Sequence, residues 1–393
     1  MGNVTVHPVA GRIGAEIHGV DIAEPLSEHA KETIQDALNV WKVVFFRDQH
    51  LDHATQIEFG RQFGELTYAH PHDDTPPEEY PEIYTVDSRR FTQRFNLKDD
   101  EPVIRKYSYT SGWHTDVTPA INPPAGSILR ADIIPPYGGD TSFTNLVAAY
   151  EGLSAPVRAF VDTLRAEHRY GANWSGLPRQ KSGYSELIEK NALVSSHPVV
   201  RVHPFTGERA LFVNPVFVDH VKDVNPIESR WILGQLFEEL TRPEYTVRFR
   251  WQPGSVAFWD NRATSHLGPQ DLGHLDVERV LHRVTLIGEV PVGPDGRESE
   301  LIEGVPFRSS PVFAAAGSLA DDDRRRNRCP ERLARGSGPA SRDHRNHPAR
   351  TPRADQQAPE PYSEAPAPGP PRHRPARGDR VVAAAVRDEG LRR

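Results

Sequence analysis

Ser255-Val256-Ala257-Phe258-Trp259, followed by Asp260-Asn261-Arg262-Ala263-Thr264-Ser265-His266, is the stretch on which the fold turns. Five residues of β-favouring, largely apolar sequence end in a polar turn that delivers a histidine, a buried strand opening at its end into a site. Similar runs surround it: 127–134, 140–144, 197–203, 209–213, 246–251 and 279–288. Pro135-Pro136, Gly138-Gly139, Gly207 and Pro253-Gly254 punctuate them as turns. Many short strands with turn signals between them predict a mostly β sandwich or jelly roll, with helices packed outside. Helices are expected over 27–41, with Ser27 as N-cap, over 52–63, closed by Gly64, and over 157–168 and 228–240. Ala15–Ile22 alternates as a strand, Val43-Val44-Phe45-Phe46 reads as a buried strand, and 67–112 reads as a long loop region with a strand at Ile83–Val86.

The chain of 393 residues carries a net charge of −7, and that average hides a split. From Gly317 onward there are 17 Arg, no Lys and 11 Asp+Glu, a net of +6, so residues 1–316 carry −13. The tail also holds 11 prolines and one aromatic residue, Tyr362, a composition that cannot offset chain entropy by burial. A domain over 1–310 and an Arg/Pro-rich, disordered tail over 311–393 are therefore expected. In the tail, 321–326 reads as a solvated charge run and Val381–Val386 as one short helix. The single cysteine, Cys329, lies in the tail, which removes disulfide, thiolate–metal and cysteine-nucleophile chemistry from the body. No run approaches a membrane span, and an acidic body argues against nucleic acid as the partner. A cytoplasmic protein acting on a small molecule is the expectation.

The chemistry begins at Trp113-His114-Thr115-Asp116. In extended chain, residues two apart point the same way, so His114 and Asp116 converge. With His266 they make two imidazoles and a carboxylate drawn from distant segments, the donor set of non-haem Fe(II) facial triads, which zinc also accepts. In Arg279-Val280-Leu281-His282-Arg283, alternation puts both arginines on one face. Two cations facing a core are costly unless each meets an anion. A diacid cosubstrate and an acidic substrate would supply them.

These residues resemble a known family. His114-x-Asp116, Gly138-Gly139-Asp140-Thr141, Trp259-Asp260-Asn261-Arg262-x-Thr264-x-His266 and Arg279-x-x-His282-Arg283 are similar, in order and spacing, to the Fe(II)/2-oxoglutarate-dependent taurine dioxygenase family. That family includes alkylsulfate and aryloxyalkanoate dioxygenases, and the likeness runs from about Gly11 to about Val290. It implies a double-stranded β-helix (jelly-roll) core and an iron held by His114, Asp116 and His266. It also implies 2-oxoglutarate bound by Arg279 and Thr141, O2 as the oxidant, and succinate and CO2 as coproducts. The implied reaction hydroxylates the carbon next to a sulfonate, as in taurine, and releases sulfite and an aldehyde. His70 and Arg283 match sulfonate contacts, Phe217 matches an apolar wall, and Thr110 stands where taurine enzymes carry an asparagine. Asp73 replaces a tyrosine, and Asn173-Trp174 aligns with a Ser-Phe pair, so the region reading the far end of the substrate is changed. An alkyl sulfate ester or aryloxyalkanoate substrate is the alternative. A zinc hydrolase or a non-catalytic organic-acid sensor are the readings from other classes. A homo-oligomer is a further implication of the resemblance.

Overall fold

The computed structural model describes residues 4–72, 76–77, 79–87, 89, 110, 112–175 and 188–308. The tail with Cys329, the 321–326 charge run and Val381–Val386, and also Asp73, lie outside the described residues.

The strands in chain order are β1 (Thr5–Pro8), β2 (Ala15–His18), β3 (Val43–Phe46), β4 (Tyr84–Asp87), β5 (Gly126–Ile133) and β6 (Thr141–Asn145). Then come β7 (Arg165–Arg169), β8 (Val194–Pro198), β9 (Val200–Val202), β10 (Arg209–Leu211) and β11 (Val218–Val221). The last are β12 (Thr246–Phe249), β13 (Val256–Asp260), β14 (Thr264–Leu267), β15 (Val280–Leu286) and β16 (Glu300–Glu303). A seven-stranded sheet runs β1-β2-β3-β13-β5-β15-β4, and a three-stranded sheet runs β12-β6-β14. Between these two lies a core of Phe45, Leu129, Phe143, Val247, Phe249, Trp259 and Leu281. Phe45 stacks on Phe249 across the gap with centroids 4.0 Å apart.

The outer face of the large sheet is covered by the helices Glu28–Trp41 and His53–Arg61, which bring Ile34, Leu38, Ile57 and Phe59 onto Val44, Phe46, Ile128, Phe258 and Val284. This explains the unbroken apolar run of β3. Phe45 points to the inter-sheet core and Phe46 to the helices, so both faces are buried. Ser27 and Asp52 cap the two helices, as side-chain acceptors from Ala30 and Thr55 N–H groups. A third layer is formed by the sheet β11-β7-β8-β16 and the pair β10-β9, with the helices Leu146–Gly152 and Pro226–Leu240 packed on it. The jelly-roll architecture with flanking helices is thus as expected from the sequence.

Two expectations fail locally. The helix over 157–168 is a short one, Ala155–Val161, followed by strand β7. Ala166 and His168 point inward and Arg165, Glu167 and Arg169 outward, so the period is two, and pairing with both β8 and β11 overrides helix propensity. The strand over 197–203 is broken at Val199 into the end of β8 and β9. The helix Leu146–Gly152 and the strands β11 and β14 were not expected.

Candidate active site

His114 and His266 face each other on an isolated antiparallel bridge, each backbone N–H donating to the other's carbonyl (2.9 and 2.7 Å). His266 is the third residue of β14, a strand held at the core by pairing with β6. Asp116, two residues after His114, turns to the same side, and the donor atoms of His114, Asp116 and His266 lie within 4.8 Å of one another. His114 Nδ1 is 2.9 Å from the Gly112 carbonyl. A donor N–H there leaves the lone pair of the neutral ring on Nε2. His266 Nε2 lies 3.9 Å from Asp116 Oδ1. Burial, then His114, holds the His266 imidazole down at about 3, so it is neutral at physiological pH. Burial would raise Asp116, but Arg283, His266, His114 and the Ser127 hydroxyl outweigh it and hold the carboxyl at about 2. A neutral His266 imidazole and an ionised Asp116 carboxylate are protonation states that a divalent cation requires. The buried set, without sulfur, fits Fe(II).

The rest of the Trp259–His266 motif supports this set from behind. Trp259 Nε1 donates to Asn261 Oδ1 (2.9 Å), Asn261 Nδ2 to Ser127 Oγ (2.8 Å), and Ser127 Oγ to Asp116 Oδ2 (2.6 Å). One carboxylate oxygen is thereby fixed while the other faces His266. Asp260 takes no part, bonding instead to His203 (2.9 Å), while Arg262 pairs with Glu289 (2.9 Å). Val117, directly after Asp116, is a β-branched residue at φ +45°, a strained conformation that its neighbours must impose. The turn is held by Thr118, whose hydroxyl meets His168 Nδ1 (2.9 Å) and whose carbonyl meets His197 Nε2 (2.8 Å).

Arg279 is buried, its Nε donating to the Gly139 carbonyl (2.8 Å) and Nη2 to Thr141 Oγ1 (3.3 Å), a hydroxyl that also accepts from Trp251 Nε1 (3.0 Å). Among the described residues its hydrogen bonds reach a carbonyl and a hydroxyl, not a carboxylate. Burial lowers its pKa to about 10, with Asp271 and Asp140 opposing, so the guanidinium stays charged. The close approach needs Gly139, at φ +76°, where a Cβ would lie 3.1 Å from Arg279 Cδ.

The substrate side is a ring of contacts. Arg283 pairs with Asp116 Oδ1 and lies over Tyr84, 4.9 Å from the centroid. Tyr84 stacks on His70 at 4.9 Å, and His70 Nε2 is 3.4 Å from Tyr170 Oη. Tyr170 packs on Phe217 at 4.9 Å, and Phe217 reaches His114 at 6.2 Å. The His72 backbone N–H donates to His70 Nδ1 (3.1 Å), which places the ring hydrogen of neutral His70 on Nε2. Val117, Ala120, Leu193, Tyr170 and Phe217 form an apolar cluster, and a cavity of about 710 Å³ beside it is lined by Tyr68, Ala120, Leu193 and Phe307. Thr110 is buried just before His114, its carbonyl accepting the Trp113 N–H (3.4 Å). Trp174 packs instead on Phe237 of the helix Pro226–Leu240. Sequence reasoning missed Ser127, Tyr84 and Tyr170. Tyr84 is the cross-strand partner of Arg283 in the β15–β4 pair, a relation visible only once the register is known.

Residues 5–285 match the family model described as taurine catabolism dioxygenase TauD, TfdA family. The chain is 40% identical over 300 residues to an alpha-ketoglutarate-dependent sulfate ester dioxygenase of Pseudomonas putida, covering 75% of this chain and 93% of that protein. It is 36% identical over 294 residues to an alkylsulfatase of Acinetobacter baylyi, covering 73% of this chain and 86% of the relative. A solved taurine dioxygenase from Burkholderia xenovorans is 48% identical, with a TM-score of 0.64 over 77% of this chain and 97% of its own. The chain belongs to the TauD/TfdA family of 2-oxoglutarate-dependent dioxygenases. It is an Fe(II)-dependent enzyme with 2-oxoglutarate and O2 as cosubstrates, which sets aside the hydrolase and sensor readings. No helix among the described residues is long and apolar enough to cross a membrane.

Proposed function

We propose that this enzyme cleaves a small organosulfur anion with an apolar tail, an alkyl sulfate ester in the first place, by hydroxylating the carbon that bears the sulfate oxygen. The observation that carries the proposal is that Arg283, paired with Asp116 of the cluster, and His70 both pack on the ring of Tyr84. In this reading the three clustered residues hold the iron, and Arg279 and Thr141 hold the distal carboxylate of 2-oxoglutarate in the geometry that a guanidinium supplies. An iron ion held there supplies oxygen activation coupled to decarboxylation of 2-oxoglutarate to succinate and CO2.

Arg283 and the His70 Nε2–H orient the sulfate oxygens, while Phe217, Tyr170 and the adjoining cavity take the alkyl chain. One oxygen atom of O2 enters succinate and the other the substrate carbon. The hydroxylated ester then collapses to an aldehyde, with sulfate and a proton leaving. The names of the Pseudomonas and Acinetobacter relatives support the ester. The Burkholderia structure favours a second reading, a sulfonate releasing sulfite.

Hexyl sulfate, hexanesulfonate and taurine, each incubated with enzyme, Fe(II), 2-oxoglutarate and air, separate the readings. Sulfate release from the ester is the expected result. Sulfite from either sulfonate, without sulfate from the ester, favours the second reading, and turnover of none of the three overturns the organosulfur assignment.

A further inference from the structure

The Arg279–Arg283 motif contains a histidine for which the chemistry so far has no use. Arg279, Leu281 and Arg283 point toward the inter-sheet core and the metal ligands, so His282 emerges on the opposite face of the large sheet. There its Nε2 lies 3.0 Å from Asp132 Oδ2, its Nδ1 3.4 Å from Thr85 Oγ1, and its ring 4.5 Å from that of His53. Gln56, wholly buried on the covering helix, donates to the His282 carbonyl (2.8 Å) and to the Ile128 carbonyl on the neighbouring strand (3.2 Å).

Asp132 is the irregular residue of this sheet. The β15–β5 register runs Arg283 opposite Leu129, His282 opposite Arg130 and Leu281 opposite Ala131, then jumps to Val280 opposite Ile133. Asp132 is the extra residue of a β-bulge, a device that bends a strand and re-aims the side chain beyond it. Past the jump comes Val280, the first residue of β15, and directly before it stands Arg279, whose guanidinium threads between Gly139 and Thr141 with little clearance. The bulge therefore sits one residue from the group whose direction matters most, and the bond across it comes from the motif's own histidine.

We propose that His282, through its hydrogen bond to Asp132, is a positioning residue that locks this bulge and so aims Arg279 at the carboxylate of 2-oxoglutarate. The proposal rests on the reading of Arg279 as the cosubstrate's carboxylate site. A dicarboxylate is then bound tightly only while the opposite face of the sheet holds its register.

The side chain of Asp132 is 47% exposed, so its replacement tests the idea without emptying a core. The full-length enzyme is loaded with Fe(II) without oxygen and titrated with 2-oxoglutarate, and Fe(II) affinity and Tm are measured alongside. Asp132→Ala is expected to weaken 2-oxoglutarate about tenfold, the scale of one hydrogen bond, with Fe(II) affinity unchanged and Tm lowered by no more than about 4 °C. Asp132→Asn removes the charge but keeps an acceptor for His282, and is expected to stay within about twofold of wild type. In turnover assays the Asp132→Ala defect falls on KM for 2-oxoglutarate more than on kcat. Wild-type 2-oxoglutarate binding in Asp132→Ala, or an equal loss in the Asn variant, overturns the role of the bulge. Arg279→Gln separates the premise from the proposal. Loss there without loss in Asp132→Ala sinks the bulge alone, and no loss in either sinks the assignment of Arg279 as well.

Discussion

Ser127 and Gly139 shape this site from outside the metal cluster: the Ser127 hydroxyl fixes one oxygen of Asp116, and Gly139 leaves room for Arg279. Ser127→Ala should fold normally and bind Fe(II) about 10- to 100-fold more weakly, the usual cost of losing an outer partner of a metal ligand. Equilibrium titration of the metal checks this, and an unchanged affinity would remove Ser127 from the site. Gly139→Ala combines a disfavoured φ with a 3.1 Å contact against Arg279 Cδ. Weakened 2-oxoglutarate binding and a stability loss of about 1–3 kcal/mol are expected, measurable by isothermal titration and denaturant unfolding. The three ligand candidates were legible because extended alternation joins His114 to Asp116 and a strand-then-turn pattern delivers His266. Ser127 and Tyr84 were not, since each reaches the site through a cross-strand pairing that no local pattern encodes.

Among the elements, β3 and the helix Glu28–Trp41 were readable from apolar runs, helical spacing and the Ser27 cap. The segment of β7 was not, because a short Arg-Ala-Glu-His-Arg alternation carries too little apolar signal to compete with the helix before it. The helix Pro226–Leu240 begins with a capping box in which Asn225 and Glu228 satisfy each other's backbone N–H groups. Asn225→Ala should cost about 1 kcal/mol in urea unfolding without touching turnover. At the end of β13, burial would raise Asp260, but the His203 hydrogen bond and Arg262 outweigh it and hold the carboxyl below its ordinary value. A depressed carboxyl contributes stability above its unfolded pKa of about 4, and that contribution disappears as pH falls through the lower folded value. The Tm of Asp260→Asn should therefore fall less steeply than that of wild type between about pH 5 and pH 3, and parallel curves would show that the pair is not coupled to folding.

At the scale of the whole molecule, the charge split and the cysteine-free body bound the chemistry through composition alone. The layered arrangement that brings residues 114, 266 and 283 together depends on strand order, which composition does not encode. The described chain ends just after Phe307, whose N–H and carbonyl are both bound by the Asn122 side chain (2.8 and 3.2 Å). Removing residues 317–393 should leave kcat and Tm unchanged, whereas removing everything from 305 onward should lower Tm by cutting this clamp beside the cavity. Thermal melts of the two truncations decide it, and equal losses would assign the tail a part in stability. The two histidines proposed as iron ligands meet through a single backbone bridge, and that has a consequence for exchange with deuterated solvent. A cation clamping both imidazoles opposes any opening that parts the two segments, since metal binding stabilises only the closed form. The amide hydrogens of His114 and His266 should then slow together on Fe(II) addition, more than those of β3, giving a spectroscopic gauge of metal occupancy that needs neither oxygen nor substrate.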